Sequence, residues 1–145
     1  MYQKVVVVLK PHLEKDFPAQ VDKIRREALA RYEEKGLFLV LEKRYTFTKK
    51  QAEEFYAEHK GKSFFPLLIE ATTMGPSIVM TIEGEDAIDI IREIHGPTNP
   101  PDCRSDQLRK KYGRDERGRP YNGFHCTASP EEYSRECLIA IGVEF

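Results

Sequence analysis

Residues 121–129 read Tyr-Asn-Gly-Phe-His-Cys-Thr-Ala-Ser and place an imidazole, His125, on a short apolar piece just after a glycine-containing turn. An imidazole titrates near neutral pH, so it can attack as a neutral nucleophile or carry a proton. Taken alone, a histidine in a strand is more often a hydrogen-bonded structural residue than a catalyst. What would give it chemistry is a charged partner. Residues 102–119 supply one, with seven cations (Arg104, Arg109, Lys110, Lys111, Arg114, Arg117 and Arg119) against four carboxylates in a chain whose net charge is −1. Guanidinium binds phosphate bidentately and stays charged, so an arginine excess beside a nucleophilic histidine suits a phosphate. Lys10 and Arg92 lie at element ends, where a folded sheet can bring them to the same side. Composition alone supports an anion site near a histidine and nothing narrower.

Other reactive patterns are missing from the sequence. There is no glycine-rich phosphate loop, no Gly-x-Ser-x-Gly elbow and no His-Glu-x-x-His. His12, His59 and His95 stand in polar or loop contexts and are expected to be solvated. Cys126 is expected to be a small buried residue rather than a redox sensor. Cys103, Cys126 and Cys137 are odd in number and form no Cys-x-x-Cys pair. That fits a reducing cytoplasm and argues against a zinc site or a disulfide framework. The near-neutral charge argues against a dedicated nucleic-acid binder. No apolar run approaches the ~20 residues of a membrane span.

The elements that must position His125 follow from periodicity. The chain has 145 residues, 40% of them hydrophobic and 32% charged, and is expected to form one domain over residues 1–145. Residues 5–9 are a β-branched run, the pattern of a strand buried on both faces. Val21, Ile24, Ala28 and Tyr32 recur at spacings of three and four and predict an amphipathic helix over 18–35, capped by Gly36. Strands are predicted over 37–45, 77–83 and 122–126. Helices are predicted from Thr48 to about Glu58, over 64–71, over 85–95 and over 130–136, with an extended segment over 138–143. Residues 96–123 lack apolar periodicity and read as a long loop. Strands alternating with crossover helices in this order predict an α/β (α+β) fold: a ferredoxin-like βαββαβ sandwich with an antiparallel four-stranded sheet and added helices.

Set in order, several pieces resemble the nucleoside diphosphate kinase family over essentially the whole chain. They are Val-Leu-Lys-Pro at 8–11, Phe-Tyr-Ala-Glu-His-Lys-Gly-Lys-Ser-Phe-Phe at 55–65, residues 77–84 followed by Asp86 and Ala87, Arg-Glu-Ile-His-Gly-Pro-Thr-Asn-Pro at 92–100, and Asn-Gly-Phe-His at 122–125. The resemblance implies transfer of the γ-phosphate of a nucleoside triphosphate to a nucleoside diphosphate, with Mg²⁺, through a phosphohistidine at His125. It implies that Lys10, Tyr56, Arg92, Thr98 and Arg109 contact phosphates, that Asn122 and Lys10 hold sugar hydroxyls, and that Phe64 stacks on the base in a slot lined by Leu68. Glu136 would orient the imidazole, and Mg²⁺ would be held through nucleotide phosphates rather than by a protein cage. A homo-oligomer, hexameric or tetrameric, is also implied, with the loop around Pro100 at a subunit contact.

The chain departs from the family pattern at His12, where aspartate is usual, and over residues 106–112, where Thr-Ile-Arg-Gly-Asp-Phe is common. It departs again at Cys126-Thr127-Ala128-Ser129, where Gly-Ser-Asp-Ser is usual. These departures touch rate and nucleotide preference and motivate one alternative, a nucleotide-binding scaffold with little turnover. A ferredoxin-like regulatory module would explain the fold but not the convergence of residues on His125.

Overall fold

The computed structural model describes residues 1–114 and 121–143. Its elements are β1 (Tyr2–Leu9), α1 (His12–Asp16), α2 (Val21–Glu34), β2 (Phe38–Tyr45), α3 (Lys49–Phe55), α4 (Phe65–Thr73), β3 (Ser77–Glu85), α5 (Ala87–His95), α6 (Leu108–Tyr112), β4 (Phe124–Cys126) and α7 (Tyr133–Ala140). Short 3₁₀ turns cover Ala57–His59, Pro100–Asp102 and Pro130–Glu132. The four strands form one sheet in the order β2-β3-β1-β4, and every pairing is antiparallel. This is the ferredoxin-like arrangement that the element order predicts. No helix among the described residues is long and apolar enough to cross a membrane.

β1 is central, and its valine run explains why. Alternate side chains point to opposite faces of a strand, so an unbroken apolar run needs a core on each side. Val5, Val7 and Leu9 enter one core with Ile24 and Ala28 of α2 and Ile88 and Ile91 of α5. Val6 and Val8 enter a second core with Phe55 of α3, Leu68 of α4 and Cys137 of α7. The helices end where their sequences direct. Gly36 takes φ +85°, and Leu37 N–H reaches back to Tyr32 O at 3.1 Å, the six-to-one bond that closes α2. Thr48 and Gln51 form a reciprocal capping box at the start of α3. Asp86, at φ 55°, caps nothing with its side chain; Gln3 Oε1 on β1 accepts from Ile88 N–H at 3.0 Å in its place.

Several sequence expectations are corrected. The stretch 96–123 is not a featureless loop, because it contains the Pro100–Asp102 turn and α6, anchored by a fully buried Leu108. A five-residue helix is too short to show a period. Arg117 and Arg119 of the charged stretch 102–119 lie outside the described residues. The predicted extended segment at 138–143 is instead the last residues of α7, to Ala140, followed by a turn: Tyr133, Cys137 and Ala140 are buried at helical spacing, whereas Leu138 is 52% exposed. The helix predicted to run to Glu58 stops at Phe55, and the Ala57–His59 turn follows. His12 and His95 are not solvated. They are 1% and 0% exposed, His12 bonded to Asp16 within the unpredicted helix α1 and His95 bonded to Tyr32.

Thr48→Ala removes one side of the capping box and is expected to lower unfolding free energy by about 1 kcal/mol. Denaturant unfolding checks this, and Thr48→Ser should retain most of the stability.

Candidate active site

β4 is only three residues long, and its register on β1 fixes the imidazole. His125 lies opposite Val8, and Lys10 N–H donates to Gly123 O at 2.8 Å just beyond the pairing. The His125 ring therefore faces the core that contains α3. It packs edge-on against Phe55, with centroids 4.9 Å apart, and against Tyr56 at 5.9 Å. The side chain keeps 17% exposure, so one edge reaches the cleft.

The other edge is held from behind. His125 Nε2 lies 3.2 Å from Glu136 Oε1, and Thr127 Oγ1 donates to the same oxygen at 2.8 Å. Thr127 Oγ1 in turn accepts from Val6 N–H at 2.8 Å. A buried carboxylate is tolerable only with such donors around it. Because the carboxylate can only accept, Nε2 must carry the hydrogen, and Nδ1 keeps its lone pair.

The cleft in front encloses about 470 Å³. Lys10, Tyr56, Phe64, Leu68, Arg92, Thr98, Arg109, Asn122 and His125 all line it, and Glu136 stands behind His125. The structure thus brings together every site residue singled out in the sequence. Lys10 Nζ donates to Asn122 Oδ1 at 2.8 Å, and Asn122 Nδ2 donates to Thr98 O at 3.0 Å, which ties three segments across the mouth. Arg109 donates from Nη1 to Gly96 O and from Nη2 to Phe124 O, both at 2.7 Å.

Burial, seconded by the Arg109 charge, pulls the Lys10 ammonium down to about 7. Burial likewise raises Tyr56, with Glu136 adding to the effect, so its phenol remains a donor at neutral pH. Cys126, beside the nucleophile candidate, is pushed up to about 12 by burial and stays an unreactive thiol at neutral pH.

The cleft has the electrostatics of an anion site, with Lys10, Arg92 and Arg109 facing the single carboxylate Glu58 among its described lining residues. Among the described residues no group of three or more His, Cys, Asp or Glu could hold a metal ion. The donor set of ammonium, guanidinium, amide and hydroxyl suits phosphate oxygens. Seven lining residues, Glu58, His59, His95, Asn99, Phe124, Cys126 and Ala128, and the supporting Thr127 and Phe55 have no site role assigned from sequence. Thr127 is the consequential one. Its role depends on a bond to Val6, 121 positions away, for which sequence has no signal.

The nucleoside diphosphate kinase family model matches residues 3–144. A nucleoside diphosphate kinase of Thermococcus kodakarensis is 39% identical over 134 residues, covering 92% of this chain and 74% of that protein. That of Pyrococcus furiosus is 36% identical over 137 residues, covering 94% and 81%. Among solved structures, the Aquifex aeolicus nucleoside diphosphate kinase superposes with a TM-score of 0.83 at 30% identity over 96% of this chain and 94% of that one. The Halobacterium salinarum enzyme in complex with CDP gives 0.82 at 30% identity, covering 97% and 88%.

Thr127→Val keeps the shape but leaves Val6 N–H without its acceptor and Glu136 without one of its donors. A loss of about 2 kcal/mol is expected by denaturant unfolding, with Thr127→Ser close to the parent.

Proposed function

Because this chain belongs to the nucleoside diphosphate kinase family, we propose that it moves the γ-phosphate of a nucleoside triphosphate to a nucleoside diphosphate through a phosphohistidine at Nδ1 of His125. The observation that carries the assignment is the Glu136 bond to Nε2, which leaves the Nδ1 lone pair available at a cationic cleft. In the first half-reaction that lone pair attacks the γ-phosphorus. The bond from γ-phosphorus to the bridging oxygen breaks, and the nucleoside diphosphate leaves with the electron pair. Nε2–H stays in place, and the positive charge that develops on the ring is balanced by the Glu136 carboxylate. In the second half a terminal oxygen of an incoming nucleoside diphosphate attacks the phosphorus and the P–N bond breaks. The ring returns to its neutral form, and ping-pong kinetics follow.

Phosphoryl transfer asks a protein for positioning and charge neutralisation. Lys10, Tyr56, Arg92, Thr98 and Arg109 would serve the phosphates, and Asn122 with Lys10 the sugar hydroxyls. Phe64, above Leu68, would stack on the base; stacking tolerates any base because each has a π-face. Mg²⁺ would arrive on the nucleotide phosphates and add charge neutralisation there. The reading extends to a homo-oligomer, hexameric or tetrameric, with the Pro100 loop at a contact, and to a cytoplasmic enzyme.

Incubation with γ-labelled ATP should leave acid-labile, alkali-stable label on the protein, and His125→Ala should take up none. Label persisting on that variant would sink the assignment. A second expectation concerns Lys10. With its folded value near 7, Lys10 is largely neutral above that pH in the free enzyme, and phosphate raises it again, so binding takes up a proton. Affinity for a nucleoside diphosphate should therefore fall as pH rises above 7 and level off below it. Calorimetry at mildly alkaline pH in buffers of different ionisation enthalpy should detect the proton, and Lys10→Met should lose it.

A further inference from the structure

The Lys10–Asn122 bond joins the chain just after β1 to the chain just before β4, and both sides of it lead back to one carboxylate. On the Lys10 side Pro11 follows and α1 begins at His12, whose Nδ1 lies 2.9 Å from Asp16 Oδ2 one turn on. On the other side Arg114 Nε donates to the same Asp16 oxygen at 2.6 Å. Arg114 also holds the residue before Asn122. Its N–H donates to Tyr121 O at 2.7 Å, and its guanidinium stands 4.4 Å from the centre of the Tyr121 ring. His12 meets that ring edge-on, with centroids 5.5 Å apart. Gly123 closes the circuit: its carbonyl accepts from Lys10 N–H at 2.8 Å, and a Cβ there would stand 3.4 Å from Leu13 of α1.

The protonation states suit this arrangement. Burial works to raise the Asp16 carboxyl, but its bonds to Arg114 and His12 outweigh that and hold it below its ordinary value, so it is ionised at neutral pH. Burial lowers His12 by more than Asp16 raises it, so the ring is neutral. A carboxylate only accepts, so Nδ1 carries the hydrogen and the lone pair is on Nε2, which has no partner among the described residues. An aspartate at position 12, usual in the family, would set two carboxylates one helical turn apart, where like charges repel; histidine supplies a donor there instead. Exposed ion pairs contribute little, but here Asp16 and Arg114 are only 17% and 28% exposed. None of the three lines the cleft. They can act on a nucleotide only through the residues they hold.

We propose that Asp16 and His12 are positioning residues for the sugar: the Asp16 carboxylate, bonded to His12 and gripping Arg114, fixes the spacing of Lys10 and Asn122 at which that pair engages the sugar hydroxyls. The inference rests on the sugar-binding role of Lys10 and Asn122 proposed above.

The ratio of kcat/KM for GDP to that for its 2′,3′-dideoxy analogue, with ATP as donor, reads the sugar contact apart from any general loss of activity. Asp16→Asn keeps the shape, removes the charge and should reduce that ratio about tenfold. His12→Leu should reduce it about threefold, whereas His12→Asn, which returns a donor close to Nδ1, should stay near the parent. A role in packing alone would leave the ratio unchanged in all three, and that result overturns the proposal. In an Asn122→Ala background Asp16→Asn should add less than about a twofold reduction, because the pair it spaces is gone; reductions that multiply there overturn the proposal. Should Asp16→Asn fail to fold, Arg114→Met takes its place with the same expected reduction, and an unchanged ratio in that variant overturns the proposal. Equal kcat/KM for the two diphosphates in the parent protein overturns the sugar role and this inference with it. Absence of parent turnover overturns the kinase reading itself, whereas parent turnover and sugar preference with an unaffected Asp16→Asn overturn this inference alone.

Discussion

One carboxylate oxygen joins three elements of the molecule. Glu136 Oε1, from α7, meets the hydroxyl of Thr127 and the imidazole of His125. Thr127 is itself bonded to the backbone of Val6 in the central strand. The direction of the imidazole is thereby referred back to the sheet and to the packing of α7. Cys137, Ala140 and Ile141, which hold α7 down, share a core with Val6 and Val8. A close-packed interior transmits displacement rather than absorbing it, so the aim of Nδ1 is a property of the second core as much as of β4.

The front of the cleft is organised differently. Its groups come from chain segments distant in sequence, and short bonds between polar groups locate them in place of apolar packing. Lys10 follows the end of β1, Asn122 precedes β4, and antiparallel pairing brings these two strand ends together. Thr98 joins them through the carbonyl that receives Asn122. The depressed value of Lys10 is the trace first of its burial and then of repulsion by Arg109, which a low-dielectric setting strengthens. The cleft is thus electrostatically uncomfortable when empty, a condition that an incoming polyanion relieves.

How much of this was legible in the sequence depends on what each residue leans on. The valine run of β1 and the isoleucine spacing of α5 declare themselves, because their partners are the two cores and burial alone dictates the pattern. α6 does not, since one buried leucine cannot make a period. The end of α7 misled because Leu138 to Val143 is apolar enough to pass for a strand, although Leu138 points outward. His12 and His95 look solvated by their neighbours in sequence; the groups that bury them, Asp16 and Tyr121 in one case and Tyr32 and Phe124 in the other, are contacts of the folded chain. For the cleft, residue types alone reached an anion near a histidine. The ordered motifs supplied the remainder, and Thr127 lay beyond both because its importance is a long-range bond.

The two carbonyls that receive Arg109 also limit what its guanidinium can do. The group has five hydrogens. One is directed to Gly96, one to Phe124, and the Nε hydrogen faces the buried side, where no ligand atom reaches. Two remain, one on each terminal nitrogen. Arg109 therefore has the valence of a two-pronged clip rather than a five-fingered grip: it can address one pair of oxygens in one plane. A chain of two or three phosphates needs a second cation free to choose its own direction, and exposed Arg92, in the last turn of α5, is placed to be that cation.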